Sequence, residues 1–154
     1  MNRFGFSKVI FLVIACCFGV AAEPTSLIKV DQVGYLPDAR KLAFVVTNQN
    51  VSEFFIRSID GNSLAFRGTL SARVDDIDSG DQVQVADFSA LETQGTFYLE
   101  VPGLGRSWTF GIGPLIYQRA FYLALRAFYG QRCGTAVNLG PDFPNYKHAA
   151  CHLT

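Results

Sequence analysis

The sequence predicts an all-β sandwich of immunoglobulin type followed by one long helix. Two observations carry this expectation. From Glu23 to about Ile112, short runs rich in Val, Phe, Ile and Thr alternate with turn residues at regular spacing. From Leu115 to Tyr129, a run of fifteen residues contains no Gly or Pro and repeats its apolar residues at helical intervals.

The strands expected in order are Leu27–Val33, Lys41–Val46, Glu53–Ser58, Ser63–Thr69, Gln82–Asp87, Thr96–Val101 and Arg106–Ile112. Asp60-Gly61-Asn62 and Pro102-Gly103-Leu104-Gly105 mark tight turns, because Gly and Asn reach positive φ cheaply. About seven short strands in about 90 residues is the pattern of an immunoglobulin-type sandwich. No cysteine lies between Glu23 and Ile112, which excludes a disulfide across the sheets. Trp108, the only tryptophan, is expected as an anchor of the core. Asp75, Asp76, Asp78 and Asp81 lie in the stretch DDIDSGD. Gly80 falls where an EF-hand needs a ligand, so this stretch reads as a solvated loop between strands.

Gly113-Pro114 opens the helix, since proline in a first turn sacrifices no hydrogen bond. Ile116, Ala120, Leu123, Ala124, Ala127 and Phe128 share one face, and Phe121 and Leu125 widen the apolar arc. Only Arg119, Tyr122 and Arg126 form a polar stripe. A helix apolar around most of its circumference is normally buried against several others. No second helix of that length is legible up to Thr154, so its partners are expected further along a longer protein.

Residues 1–22 read as an export leader. Arg3 and Lys8 precede an uncharged apolar run of twelve residues, Val9 to Val20, too short to span a bilayer comfortably. Val20-Ala21-Ala22 offers small residues for cleavage before Glu23. Val13-Ile14-Ala15-Cys16 also has the order of a lipoprotein signal, so secretion to the exterior or periplasm, an outer-membrane lipoprotein anchored at Cys16, and a retained anchor all stand. The remaining composition is that of an ordered domain. Net charge is zero, 49% of residues are hydrophobic and there is no Lys/Arg run, which removes any electrostatic case for nucleic acid.

The stretch Tyr129 to Thr154 holds both histidines and both cysteines outside the leader. Cys133 and Cys151 stand eighteen positions apart. In an exported protein they can close a disulfide, worth about 3 kcal/mol by chain entropy. They can also ligate zinc, for which thiolate and imidazole are the preferred donors. Cys133, Cys151 and His152 would supply three ligands, with His148 or a later residue as the fourth. Two free thiols are the third reading. Ser, His and Asp never cluster as a nucleophile triad, and no acidic pair suggests a catalytic site.

The stretch from Ile28 to Val46, IKVDQVGYLPDARKLAFVV, closely resembles the opening of the N-terminal immunoglobulin-like domain of family 9 glycoside hydrolases. Ser79 to Gly113 is similar to the rest of that domain. The helix and YGQRCG resemble the first helix of the family's (α/α)6 catalytic barrel, and HAACH resembles the element that follows. The resemblance implies residues 1–22 as leader, 23–112 as the immunoglobulin-like domain, and 113–154 as the start of a truncated barrel. It implies that the domain packs on the barrel rather than binding substrate itself. It also implies a structural Zn2+ held by Cys133, Cys151 and His152, with a fourth ligand beyond residue 154. The implied reaction is inverting hydrolysis of β-1,4-glucosidic bonds in cellulose or a related glucan. An Asp base and a Glu acid carry that reaction, and both positions lie beyond Thr154. Glu100, Asp87 and Asp142 are not candidates for those roles. The rival expectation is a stand-alone immunoglobulin-like module for carbohydrate binding or structure, with or without a lipid anchor at Cys16. Within the family, the substrate could instead be an amino sugar or a short oligosaccharide.

Overall fold

A computed structural model describes residues 23–152. The expected leader over residues 1–22, with Cys16, lies outside the described residues. Two antiparallel sheets face each other. The first contains β1 (Ile28–Lys29), β2 (Leu42–Val46), β5 (Val74–Asp75) and β6 (Gln82–Asp87), in the spatial order β1-β2-β6-β5. The second contains β3 (Glu53–Ser58), β4 (Leu64–Thr69), β7 (Gly95–Val101) and β8 (Gly105–Arg106), ordered β4-β3-β7-β8. A further strand, β9 (Phe110–Ile112), pairs with the first half of β7. Helix α1 (Gln118–Gly130) follows, then a short hairpin of β10 (Val137–Asn138) and β11 (Lys147–His148).

Side chains alternate along a strand, and the inward set builds the core. Ala43 and Val45 come from β2, Phe54 and Ile56 from β3, Phe97, Leu99 and Val101 from β7, and Phe110 and Ile112 from β9. Tyr35 and Phe88 complete it from loops. The Tyr35 ring meets Phe88 and Phe110 edge-on at 5.2 and 5.4 Å, a favourable aromatic geometry. The Tyr35 hydroxyl donates to the Leu42 carbonyl at 2.8 Å and accepts the Asp31 N–H at 2.9 Å. Burial pushes its pKa up to about 12, so it stays a neutral donor.

The structure corrects several expectations. Trp108 is 50% exposed and does not anchor the core. The inward position beside it belongs to Ser107, whose N–H bonds the Leu99 carbonyl at 2.7 Å and whose hydroxyl accepts the Leu99 N–H at 2.9 Å. Alternation then turns Trp108 outward. The strand expected over Arg106–Ile112 breaks at the same place into β8 and β9. The strand expected over Leu27–Val33 shrinks to two residues, because Asp31 enters a turn in which its carboxylate accepts the Val33 N–H. The acidic stretch is exposed, as expected of a solvated loop, and contributes the short edge strand β5. Helix α1 begins at Gln118 rather than Leu115, after a turn over 114–117.

Lys41 is fully buried. Its Nζ donates to the carbonyls of Pro37 and Ala39 at 2.6 and 2.9 Å. Its backbone N–H reaches the Ser89 hydroxyl at 3.0 Å and its carbonyl accepts the Phe88 N–H at 3.0 Å. One residue thus ties the loop 36–40, through its side chain, to the end of β6, through its backbone.

Helix α1 meets the hairpin loop through its polar stripe and through the neighbouring Leu123 and Ala127, which lie beside Leu139, Phe143 and Tyr146. Arg126 donates to the Leu139 carbonyl at 2.5 Å. Arg119 and Tyr122 both bond Asp142, at 3.1 and 2.5 Å. Tyr146 donates to the Gly130 carbonyl at 3.2 Å. The hairpin loop is therefore pinned along one side of the helix. Phe121, Leu125 and Phe128 stay in solvent, Phe128 being 72% exposed.

Two outcomes follow from these contacts. Replacing Lys41 with Met removes both carbonyl partners, and urea unfolding should show a loss of about 2 kcal/mol. The Tyr122 hydroxyl and then Arg119 hold the Asp142 carboxyl below its usual range, while the same bond raises the Tyr122 phenol. A depressed carboxylate stabilises its folded form above the ordinary carboxylate pKa and loses that contribution as pH falls through the depressed value. Amide exchange over residues 139–146 should therefore accelerate on acidification below the ordinary carboxylate range, beyond the intrinsic pH dependence, and Asp142→Asn should abolish that step.

Candidate metal centre

Three side chains converge where the hairpin's two arms meet. The cysteine sulfurs of Cys133 and Cys151 and a ring nitrogen of His152 all lie within 4.8 Å of one another. Cys133 follows α1 by three residues, beyond the helix-ending bonds from the Gln131 and Arg132 N–H groups to the Phe128 and Tyr129 carbonyls. Gly134, at φ 74°, turns the chain back, and its N–H bonds the Cys151 carbonyl at 2.8 Å. The β10–β11 pairing, Val137 with His148 and Asn138 with Lys147, fixes the register that brings residues 133 and 151 together.

Adjacent residues on extended backbone point to opposite sides. His152 escapes this through a left-handed backbone at φ 55°, which lets the ring and the Cys151 sulfur serve one centre. Both cysteines are unbonded thiols, Cys133 exposed and Cys151 half-buried. A hydrogen bond with the Cys151 thiol, reinforced by its charge, pushes the Cys133 thiol above its ordinary pKa. Two thiols this close oppose each other's ionisation, and a bound cation reverses that balance.

The donor set fits zinc. Two sulfurs and one imidazole nitrogen match its ligand preferences, and their mutual separations, all within 4.8 Å, are compatible with the roughly 3.5–4 Å between ligands on a tetrahedral ion. His148 does not belong to the cluster. Its Nδ1 faces the Ala149 carbonyl at 2.7 Å and its Nε2 the Gly130 carbonyl at 3.3 Å, and its ring packs edge-on to Tyr146. It secures β11 against the end of α1. Sequence reasoning assembled the cysteines and His152 from residue type. It missed Asp142, Arg126 and Tyr146 as the groups that hold the loop, although the 119/122/126 stripe was the visible signal.

The comparisons with known proteins agree along the chain. Residues 23–106 match the family described as cellulase N-terminal ig-like domain. The chain is 35% identical over 127 residues to endoglucanase D of Acetivibrio thermocellus, covering 82% of this chain and 20% of that protein. It is 32% identical over 137 residues to a xyloglucan-specific endo-beta-1,4-glucanase of Bacteroides ovatus, covering 89% of this chain and 22% of that protein. Among solved structures, a Zn-binding triple mutant of the glycoside hydrolase family 9 endoglucanase J30 superposes with a TM-score of 0.69 at 32% identity, over 77% of this chain and 21% of that one. The chain thus spans about a fifth of the length of these relatives. With the match covering residues 23–106, more than half of its length, this chain belongs to the cellulase N-terminal immunoglobulin-like domain family, in the form found in glycoside hydrolase family 9.

Proposed function

We propose that this chain is the N-terminal part of an exported family 9 glycoside hydrolase that cleaves β-1,4-glucosidic bonds in cellulose or a related glucan. The observation that carries the reading is the resemblance to an endoglucanase over 127 residues, 82% of the chain, a span longer than the sandwich alone. Inverting hydrolysis needs a carboxylate base and a carboxylic acid placed to leave room for a water between base and sugar. In this reading both belong to the barrel, outside residues 1–154. The sandwich packs on that barrel, and residues 1–22 direct export, by cleavage before Glu23 or by lipid attachment at Cys16. The outer face of the second sheet supports a packing role over sugar binding. Arg57 and Arg67 stack on the Phe55 ring, and Arg106 stacks on Tyr98, so these ring faces are already taken.

The same reading makes Cys133, Cys151 and His152 ligands of a structural Zn2+, with a fourth ligand outside residues 1–154. When bound, the ion neutralises the two thiolates and cross-links the loop. The chain's own part is to hold the three donors together through the Gly134–Cys151 backbone bond and the left-handed His152.

The enzyme reading is tested by expressing the coding region with its continuation and following glucan hydrolysis. Inverted product anomers are expected by NMR, with no hydrolysis by the purified 154-residue protein. Activity in that shorter protein would sink the assignment of the carboxylates. The metal reading is tested with Co2+ as a spectroscopic stand-in, which should give sulfur-to-metal charge-transfer bands. Cys133→Ser, Cys151→Ser or His152→Ala should each weaken binding by roughly 3 kcal/mol, about a quarter of the 10–16 kcal/mol of structural zinc sites. Absent bands together with loss of free thiol in thiol titration would establish the disulfide instead.

A further inference from the structure

The sandwich meets α1 through a steric fit rather than a free linker. Gly34 has φ 115°, and a Cβ placed there would lie 2.4 Å from Ile116 Cγ1. A Cβ on Gly111 would lie 2.6 Å from Ile116 Cδ1. Two residues without side chains, 77 positions apart, thus form a socket that the Ile116 side chain fills. Their backbones are tied together. The Tyr35 N–H bonds the Gly111 carbonyl at 2.9 Å, and the Gly113 N–H bonds the Tyr35 carbonyl at 3.1 Å. Beside the socket, the Tyr117 hydroxyl donates to the Gly34 carbonyl at 2.8 Å and lies 3.5 Å from Asp31 Oδ2. The turn into the helix closes with the Ile116 N–H on Gly113 and the Gln118 N–H on Leu115.

We propose that Ile116 in the Gly34/Gly111 socket, latched by Tyr117, is a rigid coupling through which the sandwich sets the axis of α1. A side chain seated against two backbones cannot pivot without overlapping one of them, and a bond to Gly34 resists rotation about the remaining direction. Helix α1 then transmits that orientation to the Cys/His loop through Arg119, Tyr122 and Arg126. Sandwich, helix and loop move as one body. In the proposed hydrolase, and resting on that reading, Ile116 and Tyr117 are positioning residues that place the barrel's first helix.

Residual dipolar couplings of the backbone amides in the 154-residue protein test this directly. In the unmodified protein, amides of the sandwich strands and of α1 should fit one alignment tensor. Ile116→Val keeps the Cγ1 contact with Gly34 and should keep the single tensor. Ile116→Ala empties the socket, so α1 should need its own tensor, reduced by roughly a third, as expected on passing from rigid to mobile backbone. The sandwich couplings should be unchanged. Tyr117→Phe preserves packing and removes only the latch, and should reduce the α1 tensor more mildly. Two tensors in the unmodified protein, or one tensor in Ile116→Ala, would overturn the coupling. Wild-type couplings in Tyr117→Phe would overturn the latch. If Ile116→Ala unfolds the sandwich, the unmodified protein and the Tyr117 variant still decide. Hydrolysis is not among these readouts, so failure of the coupling and failure of the enzyme reading remain separately visible.

Discussion

Tyr35 is the residue on which the rest of the arrangement hangs. Its ring contributes two edge-to-face contacts to the core, with Phe88 and Phe110. Its hydroxyl binds Leu42 and Asp31, fixing the loop between β1 and β2. Its backbone exchanges bonds with Gly111 and Gly113, beside the bridge to Ile112. One buried side chain therefore joins the first sheet's loop to the last strand of the second. The Gly34 socket exists only because Tyr35 holds that backbone against β9. Helix α1 starts from that point, so its placement rests on the aromatic core.

The helix shows how local amphipathicity and tertiary role can diverge. Its broad apolar arc would ordinarily face a core. In this structure the narrow polar stripe makes the hydrogen bonds to the hairpin loop, while Leu123 and Ala127 of the arc lie beside its apolar Leu139, Phe143 and Tyr146. Arg126 approaches Leu139 with its Nε left without a partner among the described residues, a cost accepted for one strong bond to a carbonyl. The exposed Phe121, Leu125 and Phe128 are, in the proposed hydrolase, the surface that the remaining barrel helices cover.

The Cys/His loop follows the same logic of chemistry placed by backbone. Cysteine and histidine are common donors, but three of them become a centre only when the chain returns on itself at Gly134 and departs from extended geometry at His152. The two histidines illustrate the difference. His152 is left free to ligate, whereas His148 has both ring nitrogens directed at carbonyls. His148 lies in β11, whereas His152 follows that strand by four residues on a left-handed backbone beside Cys151.

The sequence by itself determined the sandwich, the helix and the candidate ligands, because each is encoded by local pattern. Alternating apolar residues specify strands such as Glu53–Ser58 and Gln82–Asp87, whose boundaries are those expected. A run free of Gly and Pro specifies α1. The residue types Cys133, Cys151 and His152 mark a candidate soft-metal site. Tertiary structure decided what pattern cannot carry. It turned Trp108 outward, because Ser107 satisfies the Leu99 backbone from the inward position. It used the polar stripe of α1 for hydrogen bonds to the hairpin loop and set His148 apart from the cluster. It also joined Gly34 to Gly111 around Ile116. These outcomes depend on residues far apart in the chain arriving at one place with a definite register. Only the folded backbone supplies that register.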